Sequence, residues 1–384
     1  MSCDATLLFS DPDISLSELE RVETVLKSPR LTSGPMVEAL ESAFEKYLGR
    51  QHAIAVHSAT LGLLLALKAK GIGPGDEVIL SSFGFRETVH AVALSGAIPI
   101  FVEIDYWSCT LVPEKVEAAI SPRTKAIVAQ NTNGHPALWG PLRSLADFNG
   151  LFLLEDSSEA VGSRYQGHLV GTFGDCSIFD LTQPGPISAG EGGVVVTDDA
   201  KLAQKIRDLR TTRLEDRHSV VATNVPSYRA ELSDINAALA LTQLERLDEI
   251  LARRKQVAAY YDGHMLSFEG IKPAYIGPEV DEIHWMTYLV HLGTRFTRSS
   301  RDAILNDLAT EQIEAHAYCY PFHTRSYYTE LGYRRGQFFV TEKLGDRAIA
   351  LPYHGHLTED QVGFIVKTTK DASINVGAGA AIYL

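Results

Sequence analysis

The chain has 384 residues, 45% of them hydrophobic and 22% charged, with a net charge of −13 at neutral pH. That profile fits a globular protein long enough for two domains and a large core. The acidic balance argues against nucleic acid or an anionic membrane as the main partner, and no apolar run approaches the roughly 20 residues needed to span a bilayer. The start carries Asp4 and Asp11 and lacks the basic opening of a signal peptide. Cys3, Cys109, Cys176 and Cys319 lie far apart without CxxC spacing, so a cytoplasmic location and no metal site are expected.

In chain order, Pro35 opens an expected amphipathic helix over Met36–Leu48, with Val37, Leu40, Phe44 and Tyr47 at helical spacing. Ala53–Val56 reads as a strand leading into Ser58-Ala59-Thr60, which begins an apolar helix, Leu61–Lys70, ended by Gly71. A strand feeding such a helix start makes an anion site, because free N–H groups point outward there; simple capping is the plainer reading. A turn at Gly73–Asp76 leads to a strand at Glu77–Leu80, then to Ser82-Phe83-Gly84-Phe85, where Phe85 either stacks on a flat ligand or packs in the core. Strands follow at Ile98–Ile104 and Thr124–Val128, the latter ending in the polar loop Asn131–Pro136.

Leu151–Leu154 is a short apolar run delivering Glu155-Asp156 at its end; Cys176–Leu181 is a second, with Asp180 near its end, and Gly190-Glu191-Gly192-Gly193 opens a third, Val194–Thr197. Helix is expected at Ala200–Thr211 and, as one long amphipathic element, over Tyr228–Tyr261. A second domain is expected from Ile271, with a strand around Tyr288–His291 and a helix at Arg301–Leu308. Strands alternating with helices predict an α/β fold with a mostly parallel sheet sandwiched by helices, whose ligands bind at the carboxyl ends of the strands.

Between Glu155 and Gly193 the chain resembles the DegT/DnrJ/StrS sugar aminotransferases of the fold-type I pyridoxal phosphate (PLP) class. Glu155-Asp156, Gly162, Gly171-Thr172-Phe173-Gly174-Asp175 and Gly190–Gly193 carry the resemblance. Ser58, Thr60, Phe85, Tyr228-Arg229, Asn236-Ala237-Ala238, Gln243-Leu244 and Leu351-Pro352-Tyr353-His354 extend it from about Leu31 to Val366, while Tyr320-Pro321-Phe322-His323 matches loosely. The resemblance implies the aminotransferase fold, divided as a large domain over 1–250 and a smaller α+β domain over 251–384, and a homodimer. It places the cofactor pocket at Ser58, Ala59, Thr60, Phe85, Asp156 and Ser227.

Several family positions depart. The Schiff-base lysine falls on Gly185, the phosphate-holding serine on Asp180, the ring-facing glutamine on Glu159, and a phosphate-binding asparagine from the neighbouring subunit on Ser227. No lysine lies between Lys125 and Lys201, so no nearby amine substitutes. The expectation is therefore that no cofactor is used, with PLP or its amine form, PMP, possible only non-covalently. Asp156, Glu159, Asp180 and His323 are the expected catalytic residues, acting on a keto-sugar, aminosugar or related small metabolite. Asp156 can instead be inherited scaffold, and the whole acidic cluster the relic of a non-catalytic partner of an active paralogue.

Overall fold

The computed structural model describes residues 6–211, 226–265 and 275–376. The expected domain start at Ile271 and the tail beyond 376 lie outside the described residues. Helices α1 (Leu16–Leu26) and α2 (Pro35–Leu48) precede strand β1 (His52–Val56) and helix α3 (Ala59–Lys70). Then come β2 (Glu77–Ser81), α4 (Arg86–Ser95), β3 (Ile98–Val102), α5 (Pro113–Ala119), β4 (Thr124–Gln130), α6 (Trp139–Asn149) and β5 (Phe152–Asp156). The short pair β6 (Arg164–Tyr165) and β7 (His168–Leu169) leads to β8 (Cys176–Asp180), β9 (Gly193–Thr197) and α7 (Ala200–Arg210).

The starts and stops follow local chemistry. Pro35 occupies the first turn of α2, and Gly49 ends it at φ 67°. Ser58 caps α3, its hydroxyl accepting from the Leu61 N–H at 3.3 Å, and almost the whole of α3 is buried, as its uniformly apolar sequence requires.

Seven strands form one sheet in the order β1-β9-β8-β5-β4-β2-β3. All neighbours are parallel except at β9, which runs against both β1 and β8. The alternation of side chains sorts each strand between two faces. Ile54, Val56, Val128, Leu154, Ile178 and Val195 pack in one core with α3 and Ala203 and Ile206 of α7. On the opposite face Ala53, Ala55, Phe179 and Val194 meet α2, while Ile79, Ile127 and Leu153 meet Trp139 and Leu142 of α6.

The single long helix expected over Tyr228–Tyr261 is two: α8 (Asp234–Glu245), capped by Ser233, and α9 (Leu247–Met265). The break falls at Arg246, whose guanidinium reaches back to Glu18 at 2.6 Å and Asp13 at 2.9 Å. The remaining elements are β10 (Val280–Glu282), β11 (Tyr288–His291), α10 (Arg298–Thr310), β12 (His316–Ala317), α11 (Ser326–Glu330), α12 (Phe339–Arg347), β13 (Ala348–Leu351) and α13 (Glu359–Asn375). Strands β11, β13 and β12 make a second, antiparallel sheet in that order, and Leu7 joins the core beside it. No helix among the described residues is long and apolar enough to cross a membrane.

Candidate active site

Sheet register gathers the expected acids at one end. Gln130 stands opposite Asp156, Asp156 opposite Ile178, Asp180 opposite Gly193, and Gly193 opposite Val56. The start of α3 therefore lies beside the ends of β5 and β8. Gly193 is required there, since a Cβ on it would stand 2.8 Å from the Ala59 nitrogen.

Glu155 and Asp156 point to different tasks. Glu155 is fully buried, and its Oε1 accepts from the Gly171 N–H at 2.5 Å, Asn131 Nδ2 at 3.0 Å and the Ser157 hydroxyl at 2.9 Å. Its Oε2 accepts from the N–H groups of Phe173 at 2.8 Å and Gly174 at 3.0 Å and from the Ser177 hydroxyl at 3.0 Å. This carboxylate folds the 171–175 loop onto the sheet. Asp156 accepts from the Thr88 hydroxyl, from Gln130 Nε2 at 3.4 Å and from the Ser158 N–H at 3.1 Å, which fixes its position below the site.

Glu159 is buried in the turn after β5. Its Oε2 accepts from the Asn133 N–H and from the Tyr318 hydroxyl, each at 2.6 Å. Burial pushes its carboxyl up to about 7, against the pull of these two donors and with Asp156 adding to the rise. Asp180 Oδ1 accepts from the Thr182 N–H at 2.6 Å and from its hydroxyl, so it shapes the loop that carries Gly185. Burial raises Asp180 to about 6, with Asp156 and Glu87 contributing. Glu87 itself accepts from the Thr60 hydroxyl at the start of α3.

Of these acids Glu159 lines a cleft of about 450 Å³, together with Phe85, Pro184, Tyr318, Cys319 and Arg325, among others. The structure thus brings together Ser58, Ala59, Thr60, Phe85, Asp156, Glu159 and Asp180. Ser227 is half-buried in the segment ahead of α8. His323 is elsewhere in character: it is fully buried, its Nδ1 is 2.7 Å from the Ser82 hydroxyl and its Nε2 3.0 Å from Glu342, and it lines no part of the cleft. Burial holds its imidazole below the usual range, with Glu342 pulling the other way. Sequence reading gave no role to Tyr318 or Asn133. Asn133 left one signal, an Asn-Gly in a polar loop, and it adopts φ 48° there; Tyr318 left none.

Residues 12–370 match the DegT/DnrJ/EryC1/StrS aminotransferase family. The spore coat polysaccharide biosynthesis protein SpsC of Bacillus subtilis is 34% identical over 379 residues, covering 95% of this chain and 96% of that protein. A putative sugar aminotransferase from Streptococcus pneumoniae superposes in its PMP form with a TM-score of 0.91 at 25% identity, over 97% of this chain and 98% of that one. Its PLP form gives 0.90. DesV of S. venezuelae, solved in complex with a ketimine intermediate, gives 0.87 at 30% identity, over 96% and 98%.

These relatives correct the expectation that no cofactor is used: solved structures of this fold carry PLP and PMP, and the family normally uses PLP. The ring end of the site fits such a group, with Asp156 buried and held in place by three donors and Phe85 on the cleft wall. At the other end the Ser58-capped start of α3 is retained, while Asp180 and Glu87 bring carboxylates close to it and no described residue lining the cleft is a lysine. Match, fold and site geometry agree that the chain belongs to the DegT/DnrJ/EryC1/StrS family of sugar aminotransferases.

Proposed function

We propose that the protein acts on a small keto- or aminosugar in this cleft, with the family cofactor in its amine form, PMP. The observation that carries this reading is the cleft itself, which opens on Glu159 beside the fixed Asp156 and has no lysine among its described lining residues; on the family resemblance the Schiff-base lysine falls on Gly185. PMP suits that composition because it carries its own amine; when bound it supplies that amine and an electron-accepting ring. The chain's own groups do the rest. Asp156 is oriented by Thr88, Gln130 and the Ser158 amide, and would hold the cofactor through its ring nitrogen. Glu159, with a carboxyl near 7, holds or releases a proton at the cleft wall at neutral pH. Arg86 and Arg325 line the same cleft and offer positive charge to an anionic substituent of the substrate.

A homodimer is part of the reading. Tyr228 and Tyr320, at motifs that lie near the family's subunit boundary, are 44% and 40% exposed in the single chain, and burial against a second copy would cover them. Light scattering at micromolar concentration should report a dimer; a monomer removes this element of the proposal.

The function is tested by titrating purified protein with PMP and with PLP while recording near-ultraviolet and violet absorbance, followed by mass spectrometry of keto-sugars offered to the loaded protein. Saturable binding that weakens in Asp156→Asn is the expected result. No spectral change with either form overturns the proposal.

A further inference from the structure

We propose that Glu159 and Tyr318 work as one proton-holding unit in the cleft wall, with the exchangeable proton on Glu159 Oε1 and Tyr318 as the positioning residue that reserves Oε2 as an acceptor. The inference rests on the functional reading only in placing the substrate in this cleft.

The geometry separates the two carboxylate oxygens. Both donors recorded for Glu159, the Asn133 N–H and the Tyr318 hydroxyl, converge on Oε2 at 2.6 Å. Among the described residues none donates to Oε1, and Glu159 lines the cleft. Each donor is itself fixed. Asn133 Oδ1 accepts from the Thr287 N–H at 2.9 Å and hydroxyl at 3.0 Å, and the Tyr318 ring packs edge-on against Phe83 with centroids 5.7 Å apart. A proton on Oε2 would expel one of these donors, leaving a buried polar group unpaired at a cost of about 1–3 kcal/mol. A proton on Oε1 displaces nothing.

The surroundings keep Tyr318 a donor. Burial and the adjacent carboxylate raise its phenol well above the ordinary value. The other ionisable groups that face the pair are Asp156 at the end of β5 and the thiols of Cys109 and Cys319. Burial pushes both thiols far up, Cys319 to about 12, so they stay neutral. Arg86, His316 and Arg325 line the same cleft. Glu159 therefore changes charge near neutral pH, at about 7, while the Tyr318 phenol and both thiols stay neutral. Below that midpoint Oε1 presents a donor to a carbonyl or hydroxyl oxygen; above it, an anion to a hydroxyl or an ammonium group. A glutamine, the family's residue here, offers only the first of these at every pH.

The test is an infrared pH titration of the protonated-carboxyl band in wild type, with Glu159→Gln as the spectral reference. It needs neither substrate nor cofactor, so its failure is distinct from failure of the PMP titration. A carboxyl titrating near pH 7 in wild type and missing from Glu159→Gln is expected. In Tyr318→Phe the midpoint should rise by about one pH unit, because a charge-assisted hydrogen bond to the anion is lost. Near-ultraviolet circular dichroism checks that the ring still packs. Protein grown on 3-fluorotyrosine, whose phenol is more acidic, provides a second measurement that does not depend on that variant folding, and should move the midpoint down. A Glu159 carboxyl titrating below pH ~5, in the ordinary range, overturns the proton-holding site. An unmoved midpoint in both Tyr318→Phe and the fluorinated protein overturns the role of Tyr318.

Discussion

Glu155→Gln is the perturbation that most directly probes how the site is held. The wild-type carboxylate takes three donors on each oxygen. Glutamine keeps the shape but turns one oxygen into an NH2 group. If that group replaces Oε2, the Phe173 and Gly174 amides lose their acceptor; if it replaces Oε1, the Gly171 amide does, while Asn131 Nδ2 keeps the Ser157 hydroxyl oxygen. Hydroxyls of Ser157 and Ser177 can rotate to accept, but N–H groups cannot. At least one rigid backbone donor is thus orphaned in the cheaper orientation, the Gly171 amide, a loss of about 1–3 kcal/mol. Against a typical total of about 5–15 kcal/mol this is a large fraction. Urea unfolding followed by far-ultraviolet circular dichroism should show a lower midpoint with an unchanged slope. Exposed Glu191, just ahead of β9, supplies the control: Glu191→Gln should stay within about 0.5 kcal/mol. A loss below about 1 kcal/mol for Glu155→Gln would refute the assignment of Glu155 as the carboxylate that folds the 171–175 loop.

Three further outcomes are expected. A Cβ at Gly185 would stand 3.3 Å from the Thr182 carbonyl oxygen, a tight contact that a shift of a few tenths of an ångström in the loop relieves, so Gly185→Lys should fold; borohydride treatment with PLP should then leave a pyridoxyl-lysine at 185 in peptide maps, and none in wild type. His323→Ala should cost about 3 kcal/mol, since it opens a cavity and leaves buried Ser82 and Glu342 short of a partner, while leaving PMP absorbance titrations unchanged; a changed cofactor affinity would return His323 to the site. Asp180 and Glu159 titrate near pH 4 when unfolded but at about 6 and about 7 when folded, so the native state binds more protons between those values and stability falls as pH rises through that window. The penalty is absent below pH ~4 and complete above ~7, so Asp180→Asn with Glu159→Gln should remove the slope and gain about 3–6 kcal/mol at pH ~8; parallel stability curves for variant and wild type would contradict it.

The elements that build the site were legible because each left a local signal. Pro35 and Gly49 bracket α2, Ser58 and Gly71 bracket α3, and short apolar runs end in Asp156 and Asp180. The reversed direction of β9 was not legible, since a buried strand reads the same in either sense. Nor was the break between α8 and α9: Arg246 sits there at φ −101° and ψ 9°, and its side-chain partners Asp13 and Glu18 lie more than 200 residues away. His323 looked available for catalysis only because Ser82 and Glu342, which occupy its two nitrogens, are distant or unremarkable in sequence. Tyr318 was invisible for the same reason: its partner is 159 residues earlier in the chain.

What distinguishes the four acids of this region is how completely the protein satisfies them, and that ordering is also an ordering of chemical availability. Glu155 has donors on both oxygens from the loop and the sheet, and none of its capacity is left for a ligand. Asp156 also has both oxygens engaged, by Thr88, Gln130 and the Ser158 amide, so it can orient a bound group but not wander. Glu159 and Asp180 each have one oxygen taken, by Asn133 with Tyr318 and by Thr182, and one to which no described residue donates. A buried carboxylate with an open oxygen is costly unless protonated or met by a donor from outside the chain. On the proposed function, a sugar supplies hydroxyl or amine hydrogens to the open oxygen of Glu159 in the cleft wall, and a purely apolar molecule does not.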